Sequence, residues 1–439
     1  MSTLEAAWHD LGEDGAALGL VRSHASEVPL TGALPVGPLV HDTIAAASLS
    51  AALLSARRDG TAAPRVELDP VRIATAVTSE RHYRWRGEPM NPWAELSGFW
   101  PTRDGWIRTH ANYPHHRERL LAALELGPQT TADDLLRHLS RRNAIEVDEL
   151  VTRAGGVATV VRTREEWGEH PHFPVVEAQP LVRFERVADA PPALPPRQFR
   201  VLDLTRVIAG PVATRTLALW GADVLRIDPP AIPELEWQHL DTGAGKRSAV
   251  LDARSAEFDR LLAEAHVVVT GYRPGSLDAV GLGPEELAAR YPGIVVARLS
   301  AWGQSGPLGA RRGFDSIVQA ATGIAWEETP DGQRPGALPA QALDHSAGYL
   351  LAAAITSALR SRADEGGSWL AEVSLARVAH ELLGSPRIRA ARHSSWEPTV
   401  VEHGDLILAA PAAHFDGSPD DWSAPPLPWG SSAPEWCPQ

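Results

Sequence analysis

Beyond residue 200 the apolar positions fall into short, dense runs set apart by longer mixed segments. The runs at 201–204, 222–227, 265–270 and 294–299 are too short for helices and rich in valine, leucine and isoleucine, which predicts buried strands. Between them, 212–220 and 284–290 carry helical patterns, while Ala209-Gly210-Pro211 and Pro274-Gly275 mark turns. Strand and helix alternating at this pitch predict a parallel α/β sheet covered on both faces. Ligands in such folds bind at the carboxyl ends of the strands, where loops and helix N-termini converge.

The pattern before residue 190 is different. An alanine- and leucine-rich helix is expected over 41–58, a strand over 105–109, and amphipathic helices over 115–124 and 132–141. Residues 90–175 read as a smaller α+β unit packed near the carboxyl edge of the sheet. A diffuse repeat links the two halves. Val40-His41-Asp42 before its helix echoes Ala342-Leu343-Asp344 before another, and a strand-like stretch follows each, at 65–68 and 371–375. The proline-dense segment 191–197 suits neither helix nor central strand. The chain therefore divides into residues 1–190, a linker at 191–197, residues 198–400, and an irregular Pro/Ser/Gly-rich tail at 401–439.

Composition narrows the class. At 44% hydrophobic and 22% charged the chain is globular. A net charge of −14 argues against nucleic acid and anionic membranes as partners. All but one of the 41 Lys+Arg residues are arginine, the planar cation that grips carboxylate and phosphate. One cysteine, Cys437, allows no internal disulfide and no thiolate cluster, which fits a reducing cytoplasm. No run is read as approaching the roughly 20 apolar residues of a membrane span, and the acidic, polar start does not read as a signal peptide.

Candidate chemistry is sparse when read from residues alone. Asp344 and Asp42 each precede an alanine-rich helix, where aspartate is a favoured N-cap. His110, His115 and His116 lie close together without carboxylates at ligand spacing, so a surface helix start is preferred over a metal site. His345 either serves a site beside Asp344 or faces solvent. There is no G-x-G-x-x-G, no P-loop and no G-x-S-x-G, which argues against a nicotinamide enzyme.

Five blocks then occur in a telling order. They are 200–211 (RVLDLTRVIAGP) with 221–224 (GADV); 245–252 (GKRSAVLD); 272–278 (YRPGSLD) with 281–283 (GLG); 302–307 (WGQSGP) with 313–315 (GFD); and 344–348 (DHSAG). Together they resemble the family III CoA-transferases, the CaiB/BaiF-like group that includes formyl-CoA transferase and carnitine CoA-transferase. The first half resembles the later portion of that family, so the order is expected to be permuted. The resemblance implies a Rossmann-like parallel sheet domain, a smaller α+β domain and a homodimer. It implies transfer of CoA between carboxylic acids through an aspartyl-CoA thioester, with Asp344 as the nucleophile. Acyl-CoA and a carboxylic acid are the implied partners; coenzyme A enters as co-substrate, with no tightly bound cofactor and no metal.

CoA contacts are implied at Ile208, Ala209, Leu251, Asp252, Ala253, Arg254, Gly271, Tyr272, Arg273, Arg312, Gly313, Phe314 and Asp315. Ile208 stands where formyl-CoA transferase has glutamine, and Pro229 and Ala279 where it has arginines; Arg254, Arg273 and Arg312 are the candidates to compensate. Asp42, with Ala46 in place of Gly348 and no strand–turn blocks before it, is read as a cap only. The loop 93–100 is the candidate acyl pocket. Two other functions remain in view: a non-catalytic acyl-CoA-binding protein, and an acyl-CoA racemase. The related racemases carry a catalytic histidine where this chain has Phe314.

Overall fold

The computed structural model describes residues 1–387 and 395–438. Its largest sheet has seven strands, in the order Arg247–Val250, Asp223–Asp228, Arg200–Leu204, Val267–Thr270, Val295–Ser300, Ser368–Ser374 and Arg183–Ala188. The first six run parallel and the last is antiparallel. Val267, Val268 and Val269 are all fully buried, as a strand covered on both faces requires. The expected parallel α/β sheet is therefore present, with two edge strands, Arg247–Val250 and Arg183–Ala188, that the pattern did not reveal. Arg183–Ala188 precedes the proline-dense segment, which thus joins two strands of one sheet. It alternates imperfectly and lies at an edge, where half-exposed side chains blur the periodic signal.

Two 24-residue helices, Val36–Asp59 and Ala342–Glu365, pack side by side through the centre of the molecule. Small residues let them approach. Ser50 Oγ donates to the Ala353 carbonyl at 2.9 Å, and Thr356 Oγ1 donates to Ser50 Oγ at 2.7 Å. By length and composition Val36–Asp59 could cross a membrane, which the sequence reading had not recognised; here it is a core helix, with 83% of its apolar window buried. It also begins before residue 41. Asp42 consequently lies inside the helix and does not cap it; its Oδ2 accepts the Leu4 N–H at 3.2 Å, in the first turn of helix Thr3–Asp10.

The smaller α+β unit holds three antiparallel strands, Gly98–Pro101, Trp106–Thr109 and Ala158–Val160. Helices Pro114–Ala123, Ala132–Leu139 and Ala144–Arg153 close its core around Ile107, Leu120, Leu135 and Val151. It meets the sheet domain at the carboxyl ends of the strands. Arg311 pairs with Asp148 and donates to the Ala158 carbonyl at 2.7 Å, and the Arg162 N–H reaches the Ala320 carbonyl at 3.0 Å. The stretch expected to be irregular from 401 opens with a hairpin, Val400–His403 and Leu406–Ala409; beyond it no regular element occurs among the described residues, yet Phe415, Trp422 and Trp436 are buried.

Candidate active site

A cleft of about 310 Å³ opens where the loops after the parallel strands meet the smaller unit. Its first wall is the turn after Arg200–Leu204. Asp203 fixes that turn from the strand end: its Oδ1 accepts the Thr205 N–H at 3.0 Å, and its Oδ2 accepts from Thr214 at 2.6 Å and Lys246 at 3.1 Å. Lys246 also donates to the Pro211 carbonyl at 3.0 Å, tying down the first turn of helix Ala209–Leu219. Within the turn Val207 takes φ +71°, a conformation costly for a β-branched side chain. Buried Glu234 compensates by accepting the Val207 N–H at 3.1 Å, while also binding Arg226 at 3.0 Å and the Tyr113 hydroxyl. One carboxylate thus joins the turn to the smaller unit.

Asp344 lines the cleft, but not as a cap. It is the third residue of helix Ala342–Glu365, whose N-cap residue, Gln341, makes no side-chain cap bond. Asp315 caps that helix instead. Its Oδ2 accepts the N–H groups of Leu343 at 2.9 Å and Asp344 at 3.0 Å, and its Oδ1 accepts from the Gln319 amide. Gln319 in turn accepts the Leu338 N–H at 2.9 Å. This corrects the cap reading of Asp344; a cap supplied from 29 residues upstream leaves no local sequence signal.

Burial, and after it the charge of Asp315, push the Asp344 carboxyl well above the ordinary carboxylate range. Burial raises Asp315 too, but the hydrogen bonds it accepts and the charge of Arg108 oppose the shift. Across the cleft Gly313 permits a close chain approach: a Cβ there would lie 2.4 Å from that of Ala301.

The structure brings together Ala209, Gly271, Tyr272, Arg273, Arg312, Gly313, Phe314 and Asp344 around this cleft. Asp315 is buried beneath it, and Ile208 packs into the adjoining core. Leu251, Asp252, Ala253 and Arg254 do not line it. Arg254 is exposed and paired with Asp252 at 2.9 Å. By contrast, among the described residues Arg119, Arg273 and Arg312 form no salt bridge. Burial first, then Arg273 and Arg119, lower the Arg312 pKa, as expected of clustered like charges. Such a group attracts an anion.

The smaller unit supplies residues that the sequence reading missed in this role: Tyr113, His115 and His116. His110 and His116 are each 5% exposed, which corrects the surface reading of the histidines. His110 stacks on Phe314 at 3.8 Å with the rings 5° apart, a partner about 200 positions away in the chain. His345 is also buried and does not face solvent. Within the loop 93–100, Trp100 belongs to the smaller unit's core and Trp93 lines a separate cavity beside Arg81 and Gln341.

The sequence model of CoA-transferase family III matches residues 197–416, half of the chain, and includes Asp344 and every strand–turn block. The chain belongs to CoA-transferase family III. It is 35% identical over 206 residues to a probable fatty acyl-CoA transferase of Mycobacterium tuberculosis, covering 43% of this chain and 52% of that one. It is 30% identical over 318 residues to an acetyl-coenzyme A transferase of Hypoxylon pulicicidum, covering 64% and 53%. The alpha subunit of a succinyl-CoA–L-malate CoA-transferase of Chloroflexus aurantiacus is 29% identical over 252 residues, covering 53% and 58%. A solved CAIB/BAIF family structure from Brucella suis aligns with TM-score 0.40 at 25% identity, over 50% of this chain and 65% of that one. The chain spans about half the length of the curated relatives it matches.

Proposed function

We propose that this protein transfers CoA from an acyl-CoA to a carboxylic acid, with Asp344 as the nucleophile. The observation that carries the reading is a buried carboxyl, set in a cleft at the strand ends near Arg273 and Arg312, with no salt bridge to any of the three among the described residues. In its ionised form Asp344 attacks the thioester carbonyl. The C–S bond breaks, and CoA leaves as a thiolate from a mixed acyl-aspartyl anhydride. The thiolate then attacks the aspartyl carbonyl, releasing the donor acid as a carboxylate and leaving an aspartyl-CoA thioester. The acceptor carboxylate opens that thioester by the same two steps in reverse, and Asp344 returns as a carboxylate. Dividing one transfer into these steps is covalent catalysis. Arg273, Arg312 and Arg119 suit the phosphates of CoA, and the free amides at the start of helix Ala209–Leu219 suit an anion.

The experiment is exchange of labelled acid into acyl-CoA, run beside mass spectrometry of the protein after incubation with acyl-CoA. Wild type should exchange and carry an adduct on Asp344, whereas Asp344→Asn should bind the thioester and do neither. Undiminished exchange by Asp344→Asn would remove this mechanism. CoA-ester binding without exchange in the wild type would instead favour an acyl-CoA-binding protein.

A further inference from the structure

The strained residue of the cleft is held by a carboxylate that lies outside it. Val207 lines the cavity at φ +71°, in the left-handed region that a β-branched side chain avoids. Its N–H donates to Glu234 Oε2 at 3.1 Å. Glu234 sits on the irregular stretch between strand Asp223–Asp228 and helix Glu236–Asp241, with its side chain fully buried. The same carboxylate reaches two further residues of the cleft wall: its Oε1 accepts from the Tyr113 hydroxyl and from Arg206 at 3.4 Å. Arg206 also donates to the carbonyls of Ile232 and Pro233 at 2.7 and 2.8 Å, lacing the stretch to the turn. Burial opposes the charge of Glu234, but Arg226, then Arg206, the Tyr113 hydroxyl and the Val207 amide, bring its pKa down to about 2. Its hydrogen bonds are therefore charge-assisted at any physiological pH. Neutralising Arg226 does not require it, because Asp228 already grips that guanidinium at 2.7 and 3.1 Å.

We propose that Glu234 is a positioning residue for the acyl-CoA, holding Val207 left-handed so that the turn stays in place as a wall of the cleft. Left to its own preference, Val207 would return to negative φ. That change redirects the chain on either side of it, including Arg206 and Ala209, which both line the cavity. Glycine takes positive φ at little cost, so the need for Glu234 should vanish when residue 207 is glycine. A carboxylate serving only as a counter-ion would be indifferent to residue 207. The inference rests on the transferase reading, since it takes the cleft to hold CoA.

The test is a double-mutant cycle on the full chain, with Glu234→Gln made in the native and in the Val207→Gly background. Coenzyme A itself is the probe, and its affinity is measured by calorimetry. Glu234→Gln should weaken CoA about 10-fold in the native background, a loss within the cost of one strained residue. In the Val207→Gly background the same substitution should weaken it by no more than about 2-fold. Equal losses in both backgrounds, or no loss in either, overturn the inference while leaving the transferase reading intact. Should Glu234→Gln fail to fold alone, the pair Glu234→Gln/Val207→Gly should fold, with circular dichroism and the melting temperature as readouts. Failure of both to fold would make Glu234 a structural counter-ion and overturn the proposal. Absence of CoA binding by the unaltered protein would remove the transferase reading and this inference with it.

Discussion

Two carboxyls a hydrogen-bond network apart do different work because their surroundings differ. Asp315 is satisfied by two backbone amides and the Gln319 side chain, so it can remain charged while buried. Asp344 has no such support, and burial and then the charge of Asp315 push its carboxyl upward. This arrangement stores a stability cost at the reacting residue. The sign follows from the direction of the shift. A carboxyl whose folded pKa is raised favours the folded state while protonated, and that advantage is lost as pH climbs through the raised value. Asp344→Asn keeps the shape and removes the ionisable group. Its melting temperature should therefore exceed that of wild type, by a gap that widens as pH rises above the ordinary carboxylate range near about 4. Thermal melts of both proteins from acid to neutral pH would check this, and parallel curves would mean that Asp344 ionises without penalty. Asp344 itself was legible in the sequence, through its family block. Its relation to Asp315 was not, because the capping contact spans a loop whose path no local pattern encodes.

Among the elements, helix Ala342–Glu365 carries the site and is aimed by its neighbours. Gly348 lies one turn beyond Asp344, where the helix crosses Ala209–Leu219. A Cβ at Gly348 would come within 2.5 Å of the Ala209 carbonyl oxygen and 3.0 Å of Val212. The obstacle at 2.5 Å is backbone, so a side chain must push the two helices apart. Gly348→Val should cost about 1–3 kcal/mol, the range for overpacking. It should also impair exchange more than that loss alone explains, since Ala209 and Asp344 face the same cleft. Denaturant titration with activity measured well inside the folded range separates the two effects; wild-type stability in Gly348→Val would refute the close approach. The main strands and helices were legible because fully buried strands read as unbroken apolar runs, as Val267–Thr270 does. Helix Val36–Asp59 was read five residues short at its start. Its opening turn, Val36 to Val40, is held by tertiary burial and lacks a capping side chain.

At the scale of the whole molecule, segments distant in sequence close around one another. The strand before the proline-dense segment edges the large sheet, the smaller unit reaches the cleft through Tyr113 and His116, and the tail returns to brace the far side. That last contact was illegible because isolated tryptophans between prolines have no period. Trp422 is 6% exposed and packs with Leu219, Leu240 and Ala244. Its Nε1 donates to the Arg215 carbonyl at 3.0 Å, and its ring lies 5.1 Å from the Arg215 guanidinium. Arg215 donates to the Asp241 carbonyl at 2.7 Å, and it is the charge that acts on His345 and Tyr349 of the Asp344 helix. The tail is therefore part of the scaffold that holds this buried arginine. Truncating such a side chain loses both its burial and its cavity filling, so Trp422→Ala should cost about 3–5 kcal/mol. Cleavage by a protease should then begin in residues 411–438, and the denaturation midpoint should fall by a matching amount. A midpoint within error of wild type would show that the tail lies on the surface without supporting the fold.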